Sequence, residues 1–167
     1  MNGPSIIASE PLTQELADEI APLGQRSWDE CSEIKGATCS FHGERGFRIQ
    51  PDTPQYLAHA SSGSLLAMTL RAEGKLVGYA LIIFYRSLHH APLRCANVDT
   101  FYIDPEHRAY MRSFILAMEH HFREREIVVV GWPTSPDGKL FGILKLLGYA
   151  PDDVVMEKRF SEFKPCA

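Results

Sequence analysis

A strand-like run, Asn97-Val98-Asp99-Thr100-Phe101-Tyr102-Ile103, ends at Asp104-Pro105, turns through Glu106-His107-Arg108 and enters a periodic helix pattern that reaches Glu124. A strand handing over to a helix at a polar turn gathers free backbone N–H groups at one spot, and such a spot can hold an anion such as a phosphate. Alternation along the strand sets Asp99, Phe101 and Ile103 on one face and Val98, Thr100 and Tyr102 on the other. A carboxylate among apolar strand residues is expected to be partly desolvated, which raises its pKa towards that of a useful base. His89 and His90 lie just before the strand. With an intrinsic pKa of about 6.5, a neutral imidazole there can take up a proton near neutrality. His120 and His121 fall on the helix pattern and read as structural or exposed. The seven histidines and four cysteines (Cys31, Cys39, Cys95, Cys166) show no His-Glu or paired-Cys spacing, so no metal is expected and the thiols read as reduced.

The elements that must position these residues follow from periodicity. Ser5–Ser9 reads as a short first strand. Thr13 is a suitable N-cap for a helix whose Leu16, Ile20 and Leu23 share a face, with a break expected at Gly24 and a resumption around Trp28 and Ile34. Residues 35–53 read as a loop with a short strand at Phe47–Ile49. Thr53 and Pro54 open a short helix to Ala60. The period then changes to two. Leu65–Arg71 and Leu76–Tyr85 flank the turn signal Glu73-Gly74-Lys75 and predict an antiparallel hairpin. A polar loop, Arg86–Arg94, leads to the central strand.

After Arg108, the residues Tyr110, Met111, Phe114, Ile115, Met118 and Phe122 recur at helical spacing. Ile127–Val130 is a short β-branched run of the kind found in strands buried on both faces. Strand, helix and strand over this length imply a parallel crossover. Ser135-Pro136-Asp137 predicts the start of another helix with Leu140, Ile143, Leu144 and Leu147 on its apolar face and Gly148 as its stop. Val154–Phe160 reads as a last strand. The predicted order is β, α, α, β, β, β, α, β, α, β in one α+β domain spanning residues 1–167, with a mixed sheet.

The bulk properties narrow the function classes. The chain has 167 residues, 45% apolar and 23% charged, which suits an ordinary globular domain with a sizeable core. A net charge of −4 argues against nucleic acid and anionic membrane as partners. The N-terminus lacks a basic segment followed by a long apolar run, so no secretory signal is expected and the reading is cytoplasmic. The longest apolar stretch, Leu76–Tyr85, is too short to span a bilayer.

Three segments in this order and spacing resemble the GNAT superfamily of CoA-dependent N-acyltransferases. They are Gly74-Lys75-Leu76-Val77-Gly78-Tyr79-Ala80, Phe101-Tyr102-Ile103-Asp104-Pro105-Glu106-His107-Arg108 and Leu144-Lys145-Leu146-Leu147-Gly148-Tyr149, and the resemblance covers about Leu65 to Phe160. More narrowly, the His89-His90 loop and the Leu-Leu-Gly-Tyr ending resemble GNAT-like proteins encoded by bacteriophages, whose location would be the host cytoplasm.

The resemblance implies a mostly antiparallel mixed sheet flanked by helices, with a splayed parallel pair formed by the fourth and fifth strands. It implies acetyl-CoA as co-substrate, its pantetheine arm along the backbone of Phe101, Tyr102 and Ile103, and its pyrophosphate at Arg108, Tyr110, Met111, Arg112 and Ser113. Met111 stands where the family pattern has Gly, and Ser113 where it has Gly or Ala. A glycine lets the backbone approach phosphates closely, so Met111 is expected to narrow the cradle, and Arg108 and Arg112 to compensate by charge.

The resemblance also implies a carboxylate base on the central strand, which falls on Asp99, with His89 or His90 as the alternative base. The family's tyrosine acid falls on Leu144, so the acid is absent or comes from elsewhere, with Tyr85, Tyr102 and Tyr149 as substitutes. The implied reaction is acetyl transfer to an amine of a small molecule or protein. The rival reading is a catalytically silent GNAT-fold module that binds or inhibits another protein. Homodimers are common among the proteins it resembles.

Overall fold

In the computed structural model, residues 5–33, 48–134 and 138–151 are described. In chain order they form β1 (Ser5–Glu10), α1 (Gln14–Glu33), α2 (Thr53–Ser61), β2 (Leu65–Ala72), β3 (Lys75–Arg86), β4 (Arg94–Ile103), a 3-10 turn (Pro105–Tyr110), α3 (Met111–Glu124), β5 (Val129–Gly131) and α4 (Lys139–Leu146). The five strands lie in sequence order in one sheet. β1 to β4 are antiparallel neighbours, and β5 runs parallel to β4. This is the mixed sheet that the sequence predicts, flanked by helices.

The central hairpin forms where the period-two pattern places it. Its two-residue turn, Glu73-Gly74, has φ of 53° and 80°. Positive φ at both central residues gives a turn whose twist matches the flanking strands. Gly78, in β3, is needed for a different reason. A Cβ there would lie 3.0 Å from Ile103 Cγ1 and 3.1 Å from the Tyr102 carbonyl oxygen.

The sheet is covered on both faces. On one face Met68, Leu70, Val77, Ile82, Val98 and Ile103 pack with Phe114, Met118 and Phe122 of α3. On the other, Leu65, Leu76, Tyr79, Leu81 and Tyr102 pack with Leu12 and with Leu16, Ile20 and Leu23 of α1, and Tyr56, Leu57 and Ala60 of α2 pack against that cluster. Thr13 caps α1 as predicted, its Oγ1 accepting from Leu16 N at 3.3 Å. The predicted break at Gly24 does not occur; α1 is continuous from Gln14 to Glu33. Burying a Leu or Ile side chain contributes about 1.5–3 kcal/mol. A glycine costs only roughly 1 kcal/mol inside a helix, and beyond Gly24 the helix is supported by Gln25 Nε2 donating to Asp29 Oδ1 at 2.9 Å.

An ionic cluster ties β1, β2 and α1 together. Arg71 donates from Nε and Nη2 to the two carboxylate oxygens of Glu10, at 2.7 and 2.9 Å, and from Nη1 to Glu19 at 2.8 Å. The Arg71 guanidinium, helped by the Thr69 hydroxyl, holds the Glu10 carboxyl below the usual carboxylate range.

Other boundaries differ from the sequence reading. The cap of α2 is Asp52, whose carboxylate accepts from Gln55 N at 3.0 Å, and Thr53 is its first helical residue. Arg48 and Ile49 are not in a strand, and Phe47 lies outside the described residues. β5 is not buried on both faces: Val128 is 63% and Val129 48% exposed. It has only three residues, and among the described residues it is the last strand of the sheet, so one of its edges meets no further strand. α4 begins at Lys139 with Gly138 as cap, not at Pro136, and residues 135–137 lie outside the described set, as does the strand predicted at Val154–Phe160.

The described residues up to Gly24 and from Pro51 to Pro133 form one compact unit, and those from Gln25 to Gln50 and from Thr134 onward form a second. In the second, Gln25 Oε1 accepts from Ile49 N at 3.1 Å. Gly148, at φ 93°, ends α4, and Tyr149 N donates to the Leu144 carbonyl at 3.0 Å. Leu144 is buried.

Candidate active site at the β4 bulge

The register of β3 against β4 shifts within the central strand. Leu81 stands opposite Thr100, but the next residue, Ile82, stands opposite Val98. Asp99 is therefore the extra residue of a β-bulge. A bulge leaves one residue out of the ladder and breaks strict alternation. On the α3 side of the break lie Val98, Phe101 and Ile103. Asp99 faces the other way, towards α1 and α2, the face it shares with Tyr102. The predicted sharing of one face by Asp99, Phe101 and Ile103 is thus corrected, because alternation holds only where no residue is inserted.

On that face the carboxylate meets two tyrosines. The Tyr56 hydroxyl, presented by α2, donates a short hydrogen bond to Asp99 Oδ2. Burial first, then the hydrogen bond and charge of Asp99, push the Tyr56 phenol well above its usual range. Burial also pushes Tyr79 up to about 12, against the Thr100 hydroxyl and with a contribution from the Asp99 charge. Asp99 is half-buried and makes no ion pair or further hydrogen bond among the described residues, so Oδ1 is open to a donor.

Among the described residues the strand edge beside Asp99 is open as well. β5 pairs with β4 only at Cys95, Ala96 and Asn97, and β4 continues six residues further, to Ile103, without a β5 partner. The rings of Phe101 and Trp132, one from each diverging chain, meet edge-on with centroids 5.6 Å apart on the α3 side. At the end of β4, Arg108 Nε donates to the Ile103 carbonyl at 3.3 Å. The predicted anion-binding turn is a 3-10 turn that runs directly into α3, whose N-cap, Tyr110, makes no side-chain capping bond. Tyr110 and Met111 pack against the core on the α3 side, while Arg112 and Ser113 are exposed.

His89 and His90 are exposed in the loop from β3 to β4. They precede the first residue of β4, and Asp99 stands five residues further on, about 16 Å along an extended strand. The fold does not bring them to the bulge. Of the substitute acids, Tyr102 is 5% and Tyr85 50% exposed, and neither hydroxyl meets Asp99. The residue that does is Tyr56, which the sequence reading passed over. Among the described residues no group of three or more His, Cys, Asp or Glu is placed to hold a metal ion, and no helix is long and apolar enough to cross a membrane.

No protein-family model matches the chain, and no curated protein matches it in sequence. Solved structures do match in shape. A ribosomal-protein-alanine N-acetyltransferase from Brucella melitensis biovar Abortus 2308 has a TM-score of 0.65 at 19% identity, over 95% of this chain and 100% of that one. An aminoglycoside acetyltransferase from an uncultured soil metagenomic sample, in complex with sisomicin, has a TM-score of 0.69 at 12% identity, over 95% and 97%. A predicted acetyltransferase with acetyl-CoA from Clostridium acetobutylicum has 0.66 at 12%, over 92% and 96%. At these identities the likeness establishes the fold, which is that of the GNAT acetyltransferases.

Proposed function

We propose that the protein transfers an acetyl group from acetyl-CoA to an amine of a small molecule or protein. The observation that carries this reading is Asp99 at the bulge: among the described residues one carboxylate oxygen is held by Tyr56, the other is open, and the adjoining edge of β4 has no strand partner. Bound acetyl-CoA supplies an activated acyl carbon. The residues that would hold it are the backbone of Phe101, Tyr102 and Ile103 on the open edge, and Arg108, Tyr110, Met111, Arg112 and Ser113 at the turn. They fit on two counts. Among the described residues the edge meets no strand beyond Asn97, and the side chain expected to narrow the cradle, Met111, packs against the core.

Asp99 Oδ1 would receive the proton that the amine gives up as its nitrogen bonds to the acyl carbon; the carbon–sulfur bond would break, and CoA would leave as the thiolate and take its proton from solvent. Tyr56 keeps the carboxylate in one orientation, so that the reacting oxygen is presented without a search. His89 and His90 border the opposite end of β4 and take no part in this scheme.

Calorimetric titration with acetyl-CoA and with free CoA tests the reading. Micromolar binding of acetyl-CoA is expected. Absence of binding up to about a millimolar, roughly −4 kcal/mol, would favour the silent protein-binding module instead.

A further inference from the structure

β4 and β5 part at one pair of residues, Asn97 and Gly131, the last of their ladder. A Cβ built on Gly131 would lie 2.9 Å from Asn97 Oδ1 and 3.9 Å from its Cγ. Real Cβ atoms do not sit that close, so a side chain at 131 would displace the Asn97 carboxamide, the end of a flexible side chain, from this position. Oδ1 is turned to Gly131, and Nδ2 lies farther off. Asn97 stands opposite Ile83, which packs on the α1/α2 face, so its side chain shares that face with Asp99.

The carboxamide is half-buried, yet neither of its polar atoms has a hydrogen-bond partner among the described residues. With no partner of its own among the described residues, the carboxamide can be met by water or by a bound ligand. Its donor is available to a ligand. The donor is two residues from Asp99, about 7 Å along the strand, at the point where the sheet opens.

We infer that Asn97 Nδ2 donates a hydrogen bond to the carbonyl oxygen of the transferred acyl group, and that Gly131 keeps the carboxamide in place to do so. This rests on the acetyl-transfer reading. As the amine adds, the carbonyl oxygen gains negative charge, and a donor already aimed at it strengthens its bond in the transition state. The bond is made and released with no covalent change in Asn97.

The test uses the full chain with Asn97→Ala, Asn97→Asp, Gly131→Ala and the Asn97→Ala/Gly131→Ala double variant. Losing one such donor lowers kcat about 10²- to 10³-fold in other acyl-transfer enzymes. A loss of that order is expected for each single variant, with the KM for the amine little changed. Asn97→Asp is nearly isosteric, so its loss reports the missing donor and not a cavity. The double variant should be no worse than Asn97→Ala.

The carbonyl carbon resonance of 13C-labelled acetyl-CoA should move downfield on binding the wild type and by less on binding Asn97→Ala. Wild-type kcat and an unchanged resonance in Asn97→Ala would overturn the inference, as would additive losses in the double variant. A wild-type protein that binds no acetyl-CoA would instead sink the acetyl-transfer reading, and this inference with it.

Discussion

The hydroxyl of Tyr56 donates to the carboxylate of Asp99, joining a short helix to the bulged residue of the central strand across 43 positions of sequence. It fixes one oxygen of the carboxylate and leaves the other for chemistry. Removing the donor by Tyr56→Phe keeps the ring and its packing. A hydrogen bond to a charged group contributes about 1.5–3 kcal/mol to stability, so the melting temperature should fall by a few degrees, and with the carboxylate no longer oriented kcat/KM should fall as well, roughly 10- to 100-fold. Steady-state kinetics and a thermal melt check this together. A fall in melting temperature with kinetics intact would make Tyr56 a packing residue.

Alkaline pH should destabilise the protein through the same pair of tyrosines. The folded state holds Tyr79 up at about 12 against the usual 10.0 of a tyrosine. Its contribution is therefore fully present below about pH 10 and is lost as the pH rises through 12, because the unfolded chain releases its proton first. The loss should reach about 3 kcal/mol. Tyr56 acts in the same direction, its phenol being raised further still. Denaturant melts between pH 9 and pH 12 should show a shallower decline for Tyr79→Phe than for the wild type.

How far the sequence carries the reader depends on how local the cause is. The hairpin turn is written in Glu73-Gly74, because both residues must adopt positive φ there. The face of α3 is written in the spacing of Phe114, Met118 and Phe122. Asp99 is recognisable as a strand carboxylate, but its face is not, because the bulge is a property of β3 and β4 together. Tyr56 is harder still. It lies on a nine-residue helix with no fully buried side chain, and its partner belongs to a strand three elements further on. The Ile127–Val130 run misleads in the opposite sense: β-branched composition suggests burial, while its place in the sheet leaves Val129 exposed.

Gly78→Ala probes how β3 supports the far end of β4. The new methyl would press on Ile103 Cγ1, the Tyr102 carbonyl oxygen and Leu70 Cβ, at 3.0, 3.1 and 3.3 Å. Two of these neighbours are core side chains and one is backbone, so little can yield. Overpacking of this kind typically costs about 1–3 kcal/mol. Chemical denaturation should show that loss, and acetyl-CoA affinity should fall with it, since Tyr102 and Ile103 lie on the proposed binding edge.

Acid should act through the cluster at Arg71. Glu10 is held below its usual range, so its contribution is present above about pH 4.5 and is lost as the pH falls through its lower folded value. Glu10→Gln should flatten that part of the acid-unfolding curve while lowering stability at pH 7. Arg71→Met should cost more, about 1.5–3 kcal/mol, because it leaves Glu10 and Glu19 without their shared cation, though both stay in reach of water. Urea melts at pH 7 and pH 4 measure both.

The account turns on Asp99 acting as the base for acetyl transfer. The most direct measurement is amine-dependent release of the CoA thiol from acetyl-CoA, with a panel of small amines and peptides, for the wild type and Asp99→Asn in parallel. The account predicts release that depends on the amine in the wild type. In the variant it predicts a loss of about 10²- to 10⁴-fold at an unchanged melting temperature. No amine-dependent release from the wild type, or an Asp99→Asn variant with wild-type kcat/KM across the pH range, would contradict it.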